Sequence, residues 1–535
     1  MPGRRALGLT ALLLACAAIF VLPVGRRPLY NQDEVRYAIL AREVAEHGHW
    51  FLPRVRGEVY LNKPPLFFWT VALVSLPAGR VSDVTAPLVS VAAALAGVLG
   101  VFAIGRRLWG FPAGFVAAAV LAAMPFYFFM SHQVLTDMMV TGWLVWALYF
   151  YLRLAASGED RRAWWGFYLC VAGALSSKGP VALLALVAAA AASLVTDGRA
   201  GLRALRLPTG AGLVALTTLP WLMPYTLQLE KSYTRAVLVT DYLAWYFPTY
   251  ADSRLDAAFA YLAGFLPWTL LLPLMVGWWW RDADGPRRRL LVWAGVFAGA
   301  VLLSGTQRSR YFLPTLPLLA LLIAEFFVRA PVALGPRGRR LLLGLSAAFL
   351  GLALSALAAM LLAPAGLSAR GGDWVYLPAT TLERALMGGF LVAGALAAVV
   401  AVRRGWGGVA VATCWALALI AVLGLEGVGY PARYAEWYGV RSFAEKVRKA
   451  RPSEAALVAH PDANLAFDFY LRRSIREVAR TDHVRAMVAR PATPRALLIR
   501  EERWTTLRAD ADPSWRPVAS GIVGGRPFVL LRNHE

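Results

Sequence analysis

Pro65-Leu66-Phe67-Phe68-Trp69-Thr70-Val71-Ala72-Leu73-Val74-Ser75-Leu76-Pro77-Ala78-Gly79-Arg80 is the stretch on which the topology turns. Its apolar run, Leu66 to Leu76, measures roughly 17 Å as a helix, about half of the ~30 Å of hydrocarbon in a bilayer. Pro77 then interrupts it. Phe67, Phe68 and Trp69 at its start suit the boundary between lipid and water. Charge placement decides whether it crosses, because cytoplasmic loops carry an excess of Lys and Arg. With 65–80 on the surface and Arg4-Arg5 inside, these clusters all fall inside: Arg106-Arg107, Arg153 with Arg161-Arg162, Arg199-Arg203-Arg206, Arg281 with Arg287 to Arg289, Arg337-Arg339-Arg340 and Arg403-Arg404. A crossing at 65–80 would move nearly all of them outside. The segment is therefore expected to lie at the interface, although Arg26, Arg27, Arg308 and Arg310 stay outside and the rule holds only statistically.

Outward from this segment, apolar runs of membrane-spanning length predict helices at 7–24, 84–105, 111–131, 134–152, 163–177, 179–196, 208–226, 257–280, 289–304, 311–329, 341–363, 385–402 and 406–429. That makes about thirteen spans, with the N-terminus in and the C-terminus out. The composition agrees: of 535 residues 59% are hydrophobic and 16% charged, with a mean hydropathy of +0.54, which excludes an ordinary soluble domain. The net charge of +23 sits in clusters between apolar runs, not along one stripe, and so does not read as a nucleic-acid surface. Cys16, Cys170 and Cys414 lie in apolar runs without CxxC spacing, which suggests neither a disulfide framework nor a thiolate metal site. The first apolar stretch could be a signal peptide, but Val21-Leu22-Pro23-Val24 lacks a small-x-small cleavage site, so a retained helix is expected. Residues 1–430 then form the membrane domain. From 431 to 535, short apolar runs at 455–459, 496–499 and 527–531 alternate with charged helical stretches such as 440–449, predicting a small α/β domain outside the membrane.

The outer side receives loop 25–64, the turns near Asp137 and Lys178, loop 227–256, the turn 305–310 and loop 364–384, so candidate chemistry is sought there. Tyr30-Asn31-Gln32-Asp33-Glu34 opens an amphipathic helix over 35–46. Asn31 can cap it, with Asp33 and Glu34 in the first turn, where free N–H groups favour carboxylates. Service to the helix end is the plain alternative to catalysis for both acids. Asp137, between two apolar runs, is costly unless it has a partner or a task. It could act with Asp33 as base and orienter, hold a divalent cation beside a phosphate, or only complement a helix N-terminus. Only five lysines stand against fifty arginines, which makes Lys63 and Lys178 conspicuous. Lys63, before Pro64-Pro65, is placed to meet a lipid phosphate as a point charge, or merely to snorkel. Lys178, before Gly179-Pro180, breaks an apolar stretch and should sit in a recessed turn facing a cavity.

Together these residues resemble the GT-C glycosyltransferases of the ArnT-like and protein O-mannosyltransferase (PMT) group, especially the bacterial enzymes that move aminoarabinose from undecaprenyl phosphate to lipid A. The resemblance rests on Asp33-Glu34-Val35-Arg36-Tyr37 with Ala41-Arg42-Glu43, Gly48-His49-Trp50 through Pro53, Tyr60 to Pro65, Leu135 to Met139, Ser177 to Pro180, and Ser304 with Arg310 to Pro314. It runs in order over residues 1–330. It implies an all-α polytopic fold of about thirteen transmembrane helices, interfacial helices in the first outer loop and a C-terminal periplasmic domain. It also implies an inverting transferase in the bacterial inner membrane. Asp33 looks like the catalytic base, with Glu34 in support, Asp137 like the second acid, and Lys63 like the ligand of the carrier phosphate. Lys178, Arg310, Tyr37 and Asn62 complete the expected substrate contacts. Family members can bind a divalent metal near Asp33 and Asp137, but no His-rich site calls for one, and His132 reads as a helix-end residue. One departure stands out. The aminoarabinose enzymes typically carry an acid before the Lys-Pro, and Asn62 removes that charge.

The expected reaction is displacement at the anomeric carbon. Asp33 takes the acceptor's proton, and Lys63 meets the charge on the departing polyprenyl phosphate with help from Arg310 or Lys178. The acceptor could be lipid A, another glycolipid, a polysaccharide or a protein hydroxyl. No P-loop or GxGxxG context suggests a nucleotide sugar. A transporter or flippase of a lipid-linked saccharide is the competing reading. It would place charges inside several spans and pair broken helices, whereas the conspicuous charges here gather on one face.

Overall fold

The computed structural model describes the chain except residues 1, 61, 228–260, 282–283, 305–307, 363–379, 451–455, 461–462, 479, 491–494 and 534–535. The expected outer loop 227–256, most of loop 364–384, part of the turn 305–310 and the start of the span at 257–280 therefore lie outside the described residues. The chain divides into two compact units. The first contains residues 1–22, 61–67 and 88–429, and the second contains 23–60, 68–87 and 430–535.

In the first unit every apolar run that length and hydropathy marked carries helix, from Pro2–Val21 through Leu88–Trp109 and Thr136–Ser157 to Gly408–Tyr438. Among the described residues eight helices are long and apolar enough to cross a membrane, nine if a bent pair counts as one. That pair, Phe111–Ala122 and Pro125–Ser131, turns by 70° where Pro125 removes a backbone donor. The stretch quoted at the outset forms a helix over Leu66–Ser75 and a 3-10 turn over Leu76–Ala78, closed by Gly79. Ten helical residues rise roughly 15 Å, too short to cross. Phe67, Phe68, Val71 and Ala72 are buried, while Leu73, Val74 and Leu76 are exposed, giving the helix one apolar face for lipid.

Close helix approach depends on small residues. A Cβ on Gly114 would stand 2.5 Å from the Phe102 carbonyl oxygen, so Leu88–Trp109 and Phe111–Ala122 touch backbone to backbone. Several cluster arginines turn out to do more than mark topology. Arg287 and Glu325, both buried, pair at 2.5 Å, with Trp278 donating to the same carboxylate at 3.0 Å. Arg289 grips both oxygens of Asp197 at 2.7 Å, and Arg329 pairs with Asp284.

The second unit joins the first outer loop to the tail. A two-residue hairpin, β1 (Arg54–Val55) with β2 (Glu58–Val59), belongs to the loop. In the tail β3 (Ala456–Ala459), β4 (Arg476–Glu477), β5 (Arg495–Arg500), β6 (Arg516–Val523) and β7 (Arg526–Arg532) form a sheet in the order β4-β3-β5-β7-β6. β3 runs parallel to β4 and β5, and β7 antiparallel to β5 and β6. Leu497, Ile499, Val529 and Leu531 pack with Val484, Val488, Trp504 and Leu507 beneath it. Polar contacts tie loop to tail. Arg56 pairs with Asp468 at 2.8 Å and also with Glu477, Arg472 pairs with Glu46 at 2.7 Å, and Asn464 donates to the Tyr30 carbonyl at 3.1 Å. Burial, with the charge of Asp83 beside it, pushes the Tyr470 hydroxyl well above the usual tyrosine range. It stays protonated, donating to Asp83 at 3.3 Å while accepting from the Leu29 N–H at 2.7 Å.

Candidate active site

Asp137 occupies the first turn of helix Thr136–Ser157, whose N-cap Leu135 offers no side-chain acceptor, so the carboxylate faces the free N–H end. Lys178 is the last residue of helix Arg161–Lys178. Gly179 follows with φ 98°, a conformation suited to glycine, and Pro180 starts a 3-10 turn. The break turns the lysine inward, and its ammonium donates to the Asp137 carboxylate. Both are largely buried. Lys178 Nζ also stands 4.9 Å from the centre of the Tyr311 ring, and the Arg310 guanidinium lies 5.8 Å from the same ring. Gly142 lets helix Thr136–Ser157 approach closely, since a Cβ there would come within 3.1 Å of the Ala93 carbonyl oxygen.

Lys63, Asp137 and Lys178 share a cavity of about 120 Å³ with Ser304 and Tyr311. The rest of its wall is apolar, including Val140, Val181, Leu184, Phe297 and Pro314. Its charged residues are two lysines and one aspartate, and Lys178 engages the aspartate. Asn62 immediately precedes Lys63 and is half-buried.

Asp33, Glu34 and Tyr37 belong to the other unit. Asn31 caps helix Gln32–His47 as expected, its side chain accepting from the Asp33 N–H at 2.9 Å. Arg36 holds the Asp33 carboxylate at 2.8 Å, with both side chains partly exposed. Glu34 is fully buried, and both of its oxygens accept from Arg27, at 2.5 and 2.9 Å. Arg27 lies 5.1 Å from the Tyr434 ring centre. Tyr37 is buried with its ring 5.5 Å from that of Phe68. His132 is the C-cap of Pro125–Ser131, as read from the sequence.

Arg36 engages the Asp33 carboxylate in one unit, and Lys178 engages Asp137 in the other. Among the described residues no three of His, Cys, Asp and Glu gather into a ligand set.

Residues 62–223 match the family model described as dolichyl-phosphate-mannose-protein mannosyltransferase. The chain is similar to the undecaprenyl phosphate-alpha-4-amino-4-deoxy-L-arabinose arabinosyl transferase of Pectobacterium carotovorum, 27% identical over 411 residues, which are 72% of this chain and 73% of that one. It is also similar to arabinosyl transferase 1 of that name from Pseudomonas fluorescens, 29% identical over 61% of this chain and 60% of that one. The crystal structure of ArnT from Cupriavidus metallidurans bound to undecaprenyl phosphate superposes with a TM-score of 0.81 at 20% identity over 98% of both chains. The apo structure of the same protein gives 0.77.

The chain has the fold of ArnT and is similar in sequence to ArnT-like GT-C glycosyltransferases. The ArnT-like enzyme is a multi-pass protein of a bacterial inner membrane. Its fold is the one the motifs implied.

Some partners in the ArnT-like enzyme were not read from sequence. The conspicuous isolation of Asp137 and Lys178 in apolar runs announced that each needed company, but not that each was the other's. Arg27 was read only as an exception to the charge rule, yet it closes on Glu34. Tyr311 was noticed only as part of a motif, and it is the ring that faces both Lys178 and Arg310.

Proposed function

We propose that this enzyme moves a sugar from a polyprenyl-phosphate carrier to a hydroxyl or phosphate acceptor at the periplasmic face of the inner membrane. The observation that carries this reading is the mostly apolar cavity that Lys63 and Lys178 line, since a phosphate with a prenyl tail needs cationic and apolar contacts at once. The undecaprenyl phosphate bound by the similar ArnT structure and the carrier named for the arabinosyl transferases support the same donor. The placement of arginine clusters supports the periplasmic orientation, with residues 1–430 as the membrane domain and 431–535 outside.

In this mechanism the acceptor oxygen forms a bond to the anomeric carbon as the bond from that carbon to the phosphate oxygen breaks, inverting the centre. The acceptor's proton goes to Asp33, which Arg36 orients. Lys63 takes up the charge developing on the leaving phosphate, and Arg310 adds to the positive field. Asp137 holds Lys178 in place toward the cavity. Glu34, fully engaged by Arg27, fixes the start of the helix that carries Asp33, and Tyr37 anchors that helix by packing. Asn62 offers no charge to an amino sugar, so the transferred sugar need not be aminoarabinose. The acceptor class spans lipid A-like glycolipids, polysaccharide and protein.

The test is sugar transfer by purified Asp33→Asn and Lys63→Ala. Loss of the base is expected to lower kcat by roughly 100-fold or more, and loss of Lys63 to weaken donor use, raising KM as well as slowing release. Wild-type turnover in both folded variants would overturn the assignment. A flippase would move the lipid without forming product.

A further inference from the structure

A second cavity, of about 380 Å³, lies at the other ends of these helices, beside Leu154, Gly158 and Arg161. Helix Thr136–Ser157 separates it from Asp137 by roughly 30 Å at 1.5 Å per residue. We propose that this cavity binds the headgroup of an anionic phospholipid of the cytoplasmic leaflet.

Its polar wall includes Asp160, Arg161 and Arg206. Asp160 is already committed, taking Arg153 at 2.5 Å and capping the Ala163 N–H at 2.9 Å. Among the described residues neither Arg161 nor Arg206 has a carboxylate partner. Glu159 and Asp160 set two negative charges against Arg161 and Arg206 in the wall, and Arg153 on Asp160 leaves the group with one positive charge in excess. Two guanidinium groups present the fork that phosphate oxygens accept.

The local backbone fixes the turn that carries Arg206. Arg206 has φ 49°, a left-handed conformation that costs a non-glycine residue energy. It occupies the turn between Leu184–Ala204 and Leu207–Leu227. The preceding carbonyl, that of Leu205, accepts from both Trp164 Nε1 at 3.0 Å and the Tyr168 hydroxyl at 2.8 Å, which pins the turn. Beside the arginines Trp165 and Leu216 are exposed. An exposed tryptophan and leucine beside the arginines suit a lipid and not a free anion. The arginine clusters on this side place it toward the cytoplasm, where anionic lipid is drawn to basic segments.

The test is native mass spectrometry of the full-length protein offered dioleoyl phosphatidylglycerol, dioleoyl phosphatidylcholine or inorganic phosphate. Wild type is expected to retain phosphatidylglycerol over phosphatidylcholine. Arg161→Gln with Arg206→Gln is expected to weaken that retention roughly tenfold or more, and the paired Arg→Lys changes to restore part of it. Equal retention by wild type and the glutamine variant overturns the proposal, as does inorganic phosphate binding as tightly as the lipid. Should the glutamine variant fail to fold, a bimane on Leu216→Cys in the otherwise intact protein reports the same event. Stronger quenching by brominated phosphatidylglycerol than by brominated phosphatidylcholine supports the site, and equal quenching overturns it.

Discussion

Lys178→Met isolates the pair at the centre of the first cavity. The substitution leaves the Asp137 carboxylate, 5% exposed, in a largely apolar wall with its cation gone. Breaking a buried ion pair from one side costs about 3–5 kcal/mol, and the free N–H groups of the helix start return about 1 kcal/mol. A net loss of roughly 2–4 kcal/mol is expected. Asp137→Asn strands the ammonium instead. The Tyr311 ring at 4.9 Å returns about 1 kcal/mol, so the loss is of similar size. The double variant carries no charge at either position and packs a thioether chain against an amide, so it should be more stable than either single change. Thermal unfolding of the three purified variants in one detergent measures this without assuming a two-state transition. The account expects the double variant to melt above both singles, with each variant transferring sugar more slowly than wild type. Additive losses, with the double variant lowest, would refute the coupling between the two residues.

Arg27→Ala leaves Glu34 buried without its cation and should cost about 3–5 kcal/mol, read as earlier thermal unfolding and faster proteolysis of the first outer loop, whereas Glu34→Gln should cost less. Although burial alone would raise it, hydrogen bonds from Arg329 and the Arg287 N–H hold the Asp284 carboxyl below its usual value. A depressed folded value means the contribution is full above about pH 4 and is lost as pH falls through the folded value. The melting difference between wild type and Arg329→Gln should therefore be larger at neutral pH than in acid, even though Arg329 also lies 3.6 Å from Glu325. In a chain with Cys16, Cys170 and Cys414 replaced by serine, an impermeant maleimide should label His49→Cys from the outside and Glu159→Cys only after permeabilisation. Labelling of both from one side would reverse the proposed orientation.

The membrane helices were legible because length and hydropathy alone set them, and 65–80 was legible because eleven apolar residues are too few to cross. Asn31 could be read as a cap because its chemistry is local. In the tail, β3, β5 and β7 announced themselves as short buried apolar runs. β6 did not: Arg516–Val523 is an edge strand, mostly exposed, with a register shift at Pro517, so it shows no apolar alternation. The pairs were the least legible part of the site. Asp137 and Lys178 stand 41 residues apart, and an acid in an apolar run states a need for a partner without naming it. Arg56 finds Asp468 across 412 residues, a pairing no local pattern encodes.

The central claim is that carrier lipid is the leaving group. Purified wild-type enzyme in nanodiscs, given a polyprenyl-phosphate-linked sugar and an acceptor extract, should release free polyprenyl phosphate in step with glycosylated product when both are counted by mass spectrometry, and Asp33→Asn should release neither. Product formed from a nucleotide sugar without release of polyprenyl phosphate would contradict the account.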